Sequence, residues 1–407
     1  MSIRALYLCY FGLREPLVQT QVLPYLRELL KGGVEIHLLT FEPGWPHSWT
    51  ESERRSWQTQ LAAEGIQWHA RAYHQRPSLP ATLYDIVAGA WQVIHLIRRE
   101  GISILHARSH VAAAMGALAK QVTDAKLIFD IRGMLADEYA DAGAWPPQGL
   151  NYRLTKAAER HLLKVADAFV VLTNKARQIL FPDSTPIIEV IPCCVDGARF
   201  SSIAAASRET TRRELGIADK RVLVYVGALD GWYLTKELAE FLGEAHSQVA
   251  NSFSLILTQS SPELLAGRLR QQGVEPEQFR IQCVLPRDIP RYLAAADLAL
   301  SFIKPCYSKQ FSSPTKVAEY LAAGLPILCN SGVGDVDELI AREGVGILLP
   351  ELNQAAYRVA LQEVEKLLSD PALATRCRTV ALQYFDLSRV GGPLYRRLYS
   401  RLSEGLS

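Results

Sequence analysis

Apolar runs of strand length alternate with helix-period segments along the whole chain. Ile3–Cys9 is followed by an amphipathic stretch from Leu17 to Lys31, with Leu23, Leu26 and Leu30 on one side. Gly32-Gly33 closes that helix, because glycine takes the left-handed C-terminal conformation readily. Further strands are predicted at Val34–Leu39, Ile104–Ala107, Leu127–Ile131 and Phe169–Leu172, with helical segments between them. The pattern then restarts. Ile187–Ile191 leads through Pro192–Phe200 and a polar, alanine-rich stretch to about Thr211. Beyond it, buried-type strands are predicted at Val222–Val226, Phe253–Leu257, Phe279–Val284, Leu298–Ile303 and Pro326–Cys329. Continuous apolar runs of this kind mark parallel strands covered on both faces. The fold class is therefore α/β, as two Rossmann-like domains whose parallel sheets face each other across a cleft. The expected divisions are an N-terminal domain over 1–192, a C-terminal domain over 193–385 with a linker near 192–205, and a C-terminal segment over 386–407. Asp386–Gly392 interrupts the helical pattern of Ala360–Leu406, so the last helix is expected to pack back on the N-terminal domain.

Composition narrows the class. Across 407 residues, 49% hydrophobic and 21% charged is ordinary globular usage, which excludes disorder and fibrous repeats. A formal charge of +2 gives no global field for nucleic acid. None of the seven cysteines has zinc-like spacing, and Cys193–Cys194 are neighbours with poor disulfide geometry. Reduced thiols in a cytoplasm are expected. The N-terminal apolar run is too short for a signal peptide, and the longest apolar stretch, Val111–Ala119, falls far short of the roughly 20 residues that span a bilayer. Leu83–Arg99, with Trp91, Ile94, Arg98 and Arg99, reads first as an internal packing helix and second as a peripheral contact with the inner membrane face.

In doubly wound sheets, ligands bind outside the carboxyl ends of the strands. The strongest feature on such a loop is Phe311-Ser-Ser-Pro-Thr-Lys-Val-Ala-Glu-Tyr-Leu-Ala-Ala-Gly-Leu-Pro326. Ser313 suits an N-cap, Pro314 the first helical position and Lys316 the third. A lysine there opposes the helix dipole unless it shares an anion, such as a diphosphate, with the free N–H groups. Glu319, three residues on, either accepts hydrogen bonds from sugar hydroxyls or pairs with Lys316 on a solvated face. Ser331–Glu338 could be mistaken for a phosphate cradle, but Asp335 and Glu338 read as a capping box.

The run Ser313–Ile327 resembles the donor-binding signature of glycosyltransferase family 4, whose fold is GT-B. Glu15–Leu26, Phe129–Gly133 with Asp137-Glu138, Ala166–Thr173, Val190–Pro192 with Val195-Asp196, and Gly227 through Trp232-Tyr233 resemble its bacterial polysaccharide-assembly branch. The resemblance implies a retaining, metal-independent transfer from a nucleotide sugar of UDP or GDP type to a hydroxyl of a glycan or lipid-linked acceptor. That sugar nucleotide is a substrate, and no cofactor is implied. In such a transfer Lys316 and the amino end of its helix stabilise the departing nucleoside diphosphate.

Site roles carried over from the family fall on both halves. Glu319 corresponds to the residue that holds the nucleotide ribose. An earlier family glutamate is Phe311 here, which leaves sugar and phosphate contacts to Ser312, Ser313, Thr315 and Lys316. Gly227 opens a loop in which Ala228 replaces a family arginine, leaving Lys236 as the cation or as an exposed helix lysine. Trp232 and Tyr233 either wall the sugar or pack, and Leu285 and Arg287 lie where the family reads the base. On the acceptor side, Val18 stands where the branch has glycine, and Gln19, Thr20 and Gln21 are candidates, with a capped helix start as the other reading of Thr20. Asp130 or Arg132 takes the place of a family histidine, the alternative being a structural ion pair at a sheet end. Asp137 and Glu138 are expected in the following loop, where they orient acceptor hydroxyls, and Arg108 and His110, after the Ile104 strand, are expected to face the acceptor side. No carboxylate or cysteine set accompanies His106 and His110, so no metal is expected. The rival readings are a nucleotide-sugar epimerase of the same fold and a non-catalytic nucleotide-sugar-binding protein. The lack of a Gly-x-Gly-x-x-Gly after either first strand argues against a dinucleotide-dependent oxidoreductase.

Overall fold

The computed structural model describes residues 3–76, 78–183, 186–201 and 205–404. Part of the alanine-rich linker, 202–204, and the extreme C-terminus, 405–407, thus lie outside the described residues. Two compact units form: Met1–Pro192 together with Leu387–Ser407, and Cys193–Asp386.

The first unit is built on β1 (Arg4–Cys9), β2 (Glu35–Pro43), β3 (Ile66–Tyr73), β4 (Ile104–Arg108), β5 (Lys126–Asp130), β6 (Ala168–Val171) and β7 (Ile187–Val190). They pair in parallel in the order β3-β2-β1-β4-β5-β6-β7. The stretch from Leu17 to Lys31 is two helices, Pro16–Gln21 and Leu23–Leu30. Pro24 lacks the N–H that one continuous helix would require, and the chain turns at Val22. The C-terminal helix Gly392–Ser403 follows a single π-turn, Leu387–Gly391, and packs on the Leu23–Leu30 helix and beside β7. Arg397 grips Glu189 at 2.7 Å, and Arg396 reaches Glu28 at 3.0 Å.

The second unit contains β8 (Arg221–Val226), β9 (Ser252–Leu257), β10 (Phe279–Gln282), β11 (Leu298–Ser301), β12 (Ile327–Asn330) and β13 (Gly346–Leu349). They are parallel too, in the order β10-β9-β8-β11-β12-β13. Side chains alternate between two cores, with Val222, Val224 and Ile327 in one and Leu223, Tyr225 and Leu328 in the other. Chain order reverses between β1 and β4 and again between β8 and β11, which opens a ligand crevice at the carboxyl ends of each pair. Among the described residues, no helix is long and apolar enough to cross a membrane.

Candidate functional site

The crevice between β8 and β11 is shaped by two tyrosines and a glycine. Tyr320, fully buried on the helix Thr315–Ala323, accepts a hydrogen bond from Val226 N at 2.8 Å and donates to Leu300 O at 3.2 Å. It thereby ties that helix to both strand ends. Tyr225 donates to Ala228 O at 2.6 Å, and Gly227 follows with φ +139°, a region closed to ordinary side chains. A Cβ at Gly227 would lie 2.8 Å from Lys316 Nζ, so the glycine leaves the space that the lysine head occupies.

Lys316 is buried and its Nζ has no hydrogen-bond partner. The ammonium lies 4.3 Å from the ring centroids of both Tyr225 and Tyr233, which hold it by cation–π attraction. Burial pushes its pKa down to about 7, against the opposing pull of Glu319. Glu319 is partly exposed, and desolvation pushes its carboxyl up to about 7 while Arg199 and Lys316 pull it back. The solvated Lys–Glu pair is thus not what forms. The structure instead has a buried, unpartnered cation and a partly exposed acid at the same crevice, as a site awaiting an anionic, hydroxylated ligand would require.

The helix itself begins one residue later than the sequence suggests. Pro314 is the N-cap, with φ −67° and ψ 116°, Lys316 is the second helical residue, and no side chain caps the end. Ser313 Oγ is drawn away, accepting from Cys193 N at 3.1 Å. Ser312 N donates to Lys309 O, and Thr315 is half-buried at the first helical position. Phe311 is buried against Tyr307, so the side chain in the place of the family's first glutamate faces protein. Tyr233 belongs to the cage around Lys316, whereas Trp232 lies under Lys309, whose Nζ is 3.8 Å from its ring. Both aromatics precede the helix Thr235–Gln248. Lys236 is exposed and paired with Glu240 at 3.5 Å, which is the helix-lysine reading. Leu285 and Arg287 are exposed on the loop after β10, where Pro286 O accepts from Arg199 Nη2 at 2.9 Å. In Ser331–Glu338 no side-chain capping bond forms at Asp335. Asp337 instead takes the Gly332 N–H at 2.9 Å, filling the would-be cradle with its own carboxylate.

Two cations of this region escaped sequence reasoning. Arg199, on the short helix Ala198–Ser201, is the strongest charge acting on Glu319. Lys309 is buried in the loop after β11. Their signal was faint: Arg199 sits in a linker, and Lys309 stands two residues before the position where the family has a glutamate.

The candidates of the first unit are far less accessible, which corrects several expectations. Asp130 is fully buried, 3.1 Å from Arg132 Nε, 3.5 Å from His106 Nε2 and 3.7 Å from Arg108 Nη1. Tyr395 donates to it at 3.3 Å. Burial alone would raise its pKa, but Arg132, His106 and Arg108 outweigh burial and hold the carboxyl well below the ordinary range. The ion pair at the sheet end is therefore what the structure builds, and Asp130 has no surface with which to touch a substrate. Arg108 and His110 are likewise buried. Burial and Lys156 push His110 down to about 4, so it is neutral beside Glu159, 3.6 Å away. Asp137 and Glu138 sit in the first turn of a helix, Leu135–Asp141, rather than a loop. Asp137 is buried, bound by Lys156 at 2.8 Å and by the Tyr152 hydroxyl at 3.0 Å, while the carboxylate of Glu138 lies against Gly133. Gln19 donates to Leu13 O at 2.6 Å, Thr20 bonds back to Pro16 O rather than capping a helix, and Gln21 is buried. Among the described residues, no group of three or more His, Cys, Asp or Glu side chains could hold a metal.

Residues 18–194 match the family model described as a glycosyl transferase 4-like domain, and residues 220–370 match glycosyl transferases group 1. No curated protein matches by sequence. Among solved structures, a glycosyltransferase from Rickettsia africae is similar over 99% of both chains, with a TM-score of 0.75 at 14% identity. HepE of Anabaena, solved in complex with UDP, is similar over 99% of both chains, with a TM-score of 0.67 at 16% identity, and structures of the same protein with UDP and glucose and with UDP-glucose are similar too. WaaG, a glycosyltransferase involved in lipopolysaccharide biosynthesis, is similar over 98% of this chain and 100% of its own, with a TM-score of 0.66 at 18% identity.

Proposed function

We propose, from the premise that this chain belongs to the family 4-like glycosyltransferases of GT-B fold, that it is a retaining, metal-independent enzyme. It moves a sugar from a UDP- or GDP-type donor to a hydroxyl of a glycan or lipid-linked acceptor, in assembly of a cell-surface polysaccharide. The observation that carries this reading is the unpartnered, buried ammonium of Lys316 beside Gly227. A diphosphate there would give the ammonium the partner it lacks, and the uncapped helix end adds N–H donors and a favourable dipole. As the sugar–oxygen bond breaks, negative charge grows on the leaving phosphate, and a cation already stripped of water stabilises it without reorganising solvent. Glu319, backed by Arg199, would accept the hydroxyls of the nucleotide ribose.

The family likeness supports retention, the HepE complexes support a UDP-type donor, and WaaG supports a surface glycan. Five buried thiols, Cys9, Cys193, Cys194, Cys329 and Cys377, suit a reducing cytoplasm. The test is product analysis with UDP- and GDP-sugars, with and without glycan acceptors, in the presence of a chelator. Transfer that needs an acceptor and keeps the anomeric configuration is expected, with Lys316→Ala slower by roughly 10²-fold or more. A changed sugar formed from donor alone would make it an epimerase, and an inverted anomer would overturn retention.

A further inference from the structure

The segment that reads first as an internal packing helix turns out to have an uncovered face. In the helix Ser78–Glu100, one side (Ala81, Asp85, Gly89, Val93, Leu96) is buried in the first unit. On the other side, Leu79, Leu83, Val87 and Trp91 recur every four residues and are 57, 55, 66 and 69% exposed, with Tyr84 beside them at 57%. Together these side chains expose on the order of 600 Å² of largely apolar surface, at the upper limit for the largest patch of a soluble monomer.

Charge identifies what suits this face. The helix ends in the exposed pair Arg98-Arg99. Its two acids are withdrawn: Asp85 is buried under the Tyr10 hydroxyl at 2.7 Å, and Glu100 is paired with Arg99 at 2.6 Å. The helix packs on Ser109–Lys120, which packs in turn on Leu150–Val165, so the three form one layer over the sheet. That third helix repeats the design, with Leu150 at 72% and Leu154 at 59% exposed among the exposed cations Arg153, Arg160 and Lys164. Its one acid, Glu159, is buried. Apolar ridges edged by arginine and lysine, with every acid of the three helices buried or paired, complement a surface that is negative outside and apolar beneath. Spanning is excluded, because the inner side of each helix is protein core.

We propose that this layer docks on a bilayer surface containing anionic lipid, with Val87 and Trp91 inserted at the boundary between headgroups and acyl chains. The docking itself does not depend on the proposed function. Only its use, presenting a lipid-linked acceptor at the carboxyl edge of the first sheet where these helices begin, rests on the proposed transferase reading.

The test is co-sedimentation of the full chain with vesicles of phosphatidylcholine alone and of phosphatidylcholine with phosphatidylglycerol. Binding to the anionic vesicles should be at least about tenfold tighter and should weaken with salt. The doubly substituted V87E/W91E chain should lose about tenfold or more of it, while keeping the thermal shift given by UDP or GDP. Arg98→Gln with Arg99→Gln should lower binding to anionic vesicles several-fold. A wild-type chain that stays in the supernatant, or a V87E/W91E chain that sediments like wild type, would overturn the proposal. So would absence of vesicle binding together with a dimer that V87E/W91E dissolves, because a second copy would then cover the face.

Discussion

Replacing Lys316 by methionine should make the fold more stable while leaving the protein unable to hold a nucleoside diphosphate. The side chain is buried with no hydrogen-bond partner, and burial lowers its pKa from 10.5 to about 7. A shift of that size corresponds to roughly 4–5 kcal/mol of destabilisation near neutral pH. The faces of Tyr225 and Tyr233 contribute stabilising cation–π contacts, which methionine loses, about 1–2 kcal/mol together. Methionine fills a similar length without a charge, so the net gain should be about 2–4 kcal/mol, or a rise in melting midpoint of order 5 °C. The sign with pH is fixed. Because the folded pKa lies below the unfolded one, the unfolded chain binds more protons between about pH 7 and 10.5, and wild-type stability rises across that window. The advantage of Lys316→Met should therefore be largest below about pH 7 and fade by about pH 10. Thermal denaturation over that range, with and without UDP and GDP, measures both halves of the expectation. A methionine variant that melts at or below the wild-type midpoint and still responds to nucleotide would refute the reasoning.

Glu319→Gln should weaken nucleotide binding about tenfold, since hydrogen bonds to a charged acceptor contribute about 1.5–3 kcal/mol. Calorimetry with UDP and its 2′,3′-dideoxy analogue tests this, because the variant should no longer distinguish them. Gly227→Ala forces a side chain into φ +139° and to 2.8 Å from Lys316 Nζ, so nucleotide affinity should fall by an order of magnitude or more; unchanged calorimetric affinity would contradict the crowding argument. Asp130→Asn removes the carboxylate that neutralises Arg108 and Arg132 in a buried setting, and chemical denaturation should show a loss of about 3–5 kcal/mol. Wild-type stability in that variant would mean that the cluster is not held together by charge.

The continuous apolar runs made the central strands legible, because a parallel strand covered on both faces has no polar positions to obscure it. The missed strands, β3 and β13, are both sheet edges. In β3, Ile66-Gln-Trp-His-Ala-Arg-Ala-Tyr73 mixes polar residues into the strand and so blurs the signal. Lys316 and Glu319 were readable from one helix start, where a cation sat against the local dipole. Arg199 was not, since its approach to Glu319 depends on folding of the linker against the loop after β10. The burial of the acceptor-side candidates was hidden for the opposite reason. Charges at strand ends, such as Asp130 and Arg108, look identical in sequence whether they face a ligand or one another, and only burial separates the two. The helix Ser78–Glu100 shows the same limit, because its apolar residues exceed what one buried face can use, and the sequence does not say which remain outside.

The central claim is that the buried ammonium of Lys316 receives a diphosphate, and proton linkage tests it most directly. At pH 8 the free protein should hold Lys316 mostly neutral and Glu319 mostly ionised, since both titrate near 7. Titrating UDP or GDP in buffers of different ionisation enthalpy should then show uptake of close to one proton per nucleotide bound, with no binding in Lys316→Met. Nucleotide binding with no proton uptake, or undiminished binding in the methionine variant, would contradict the account.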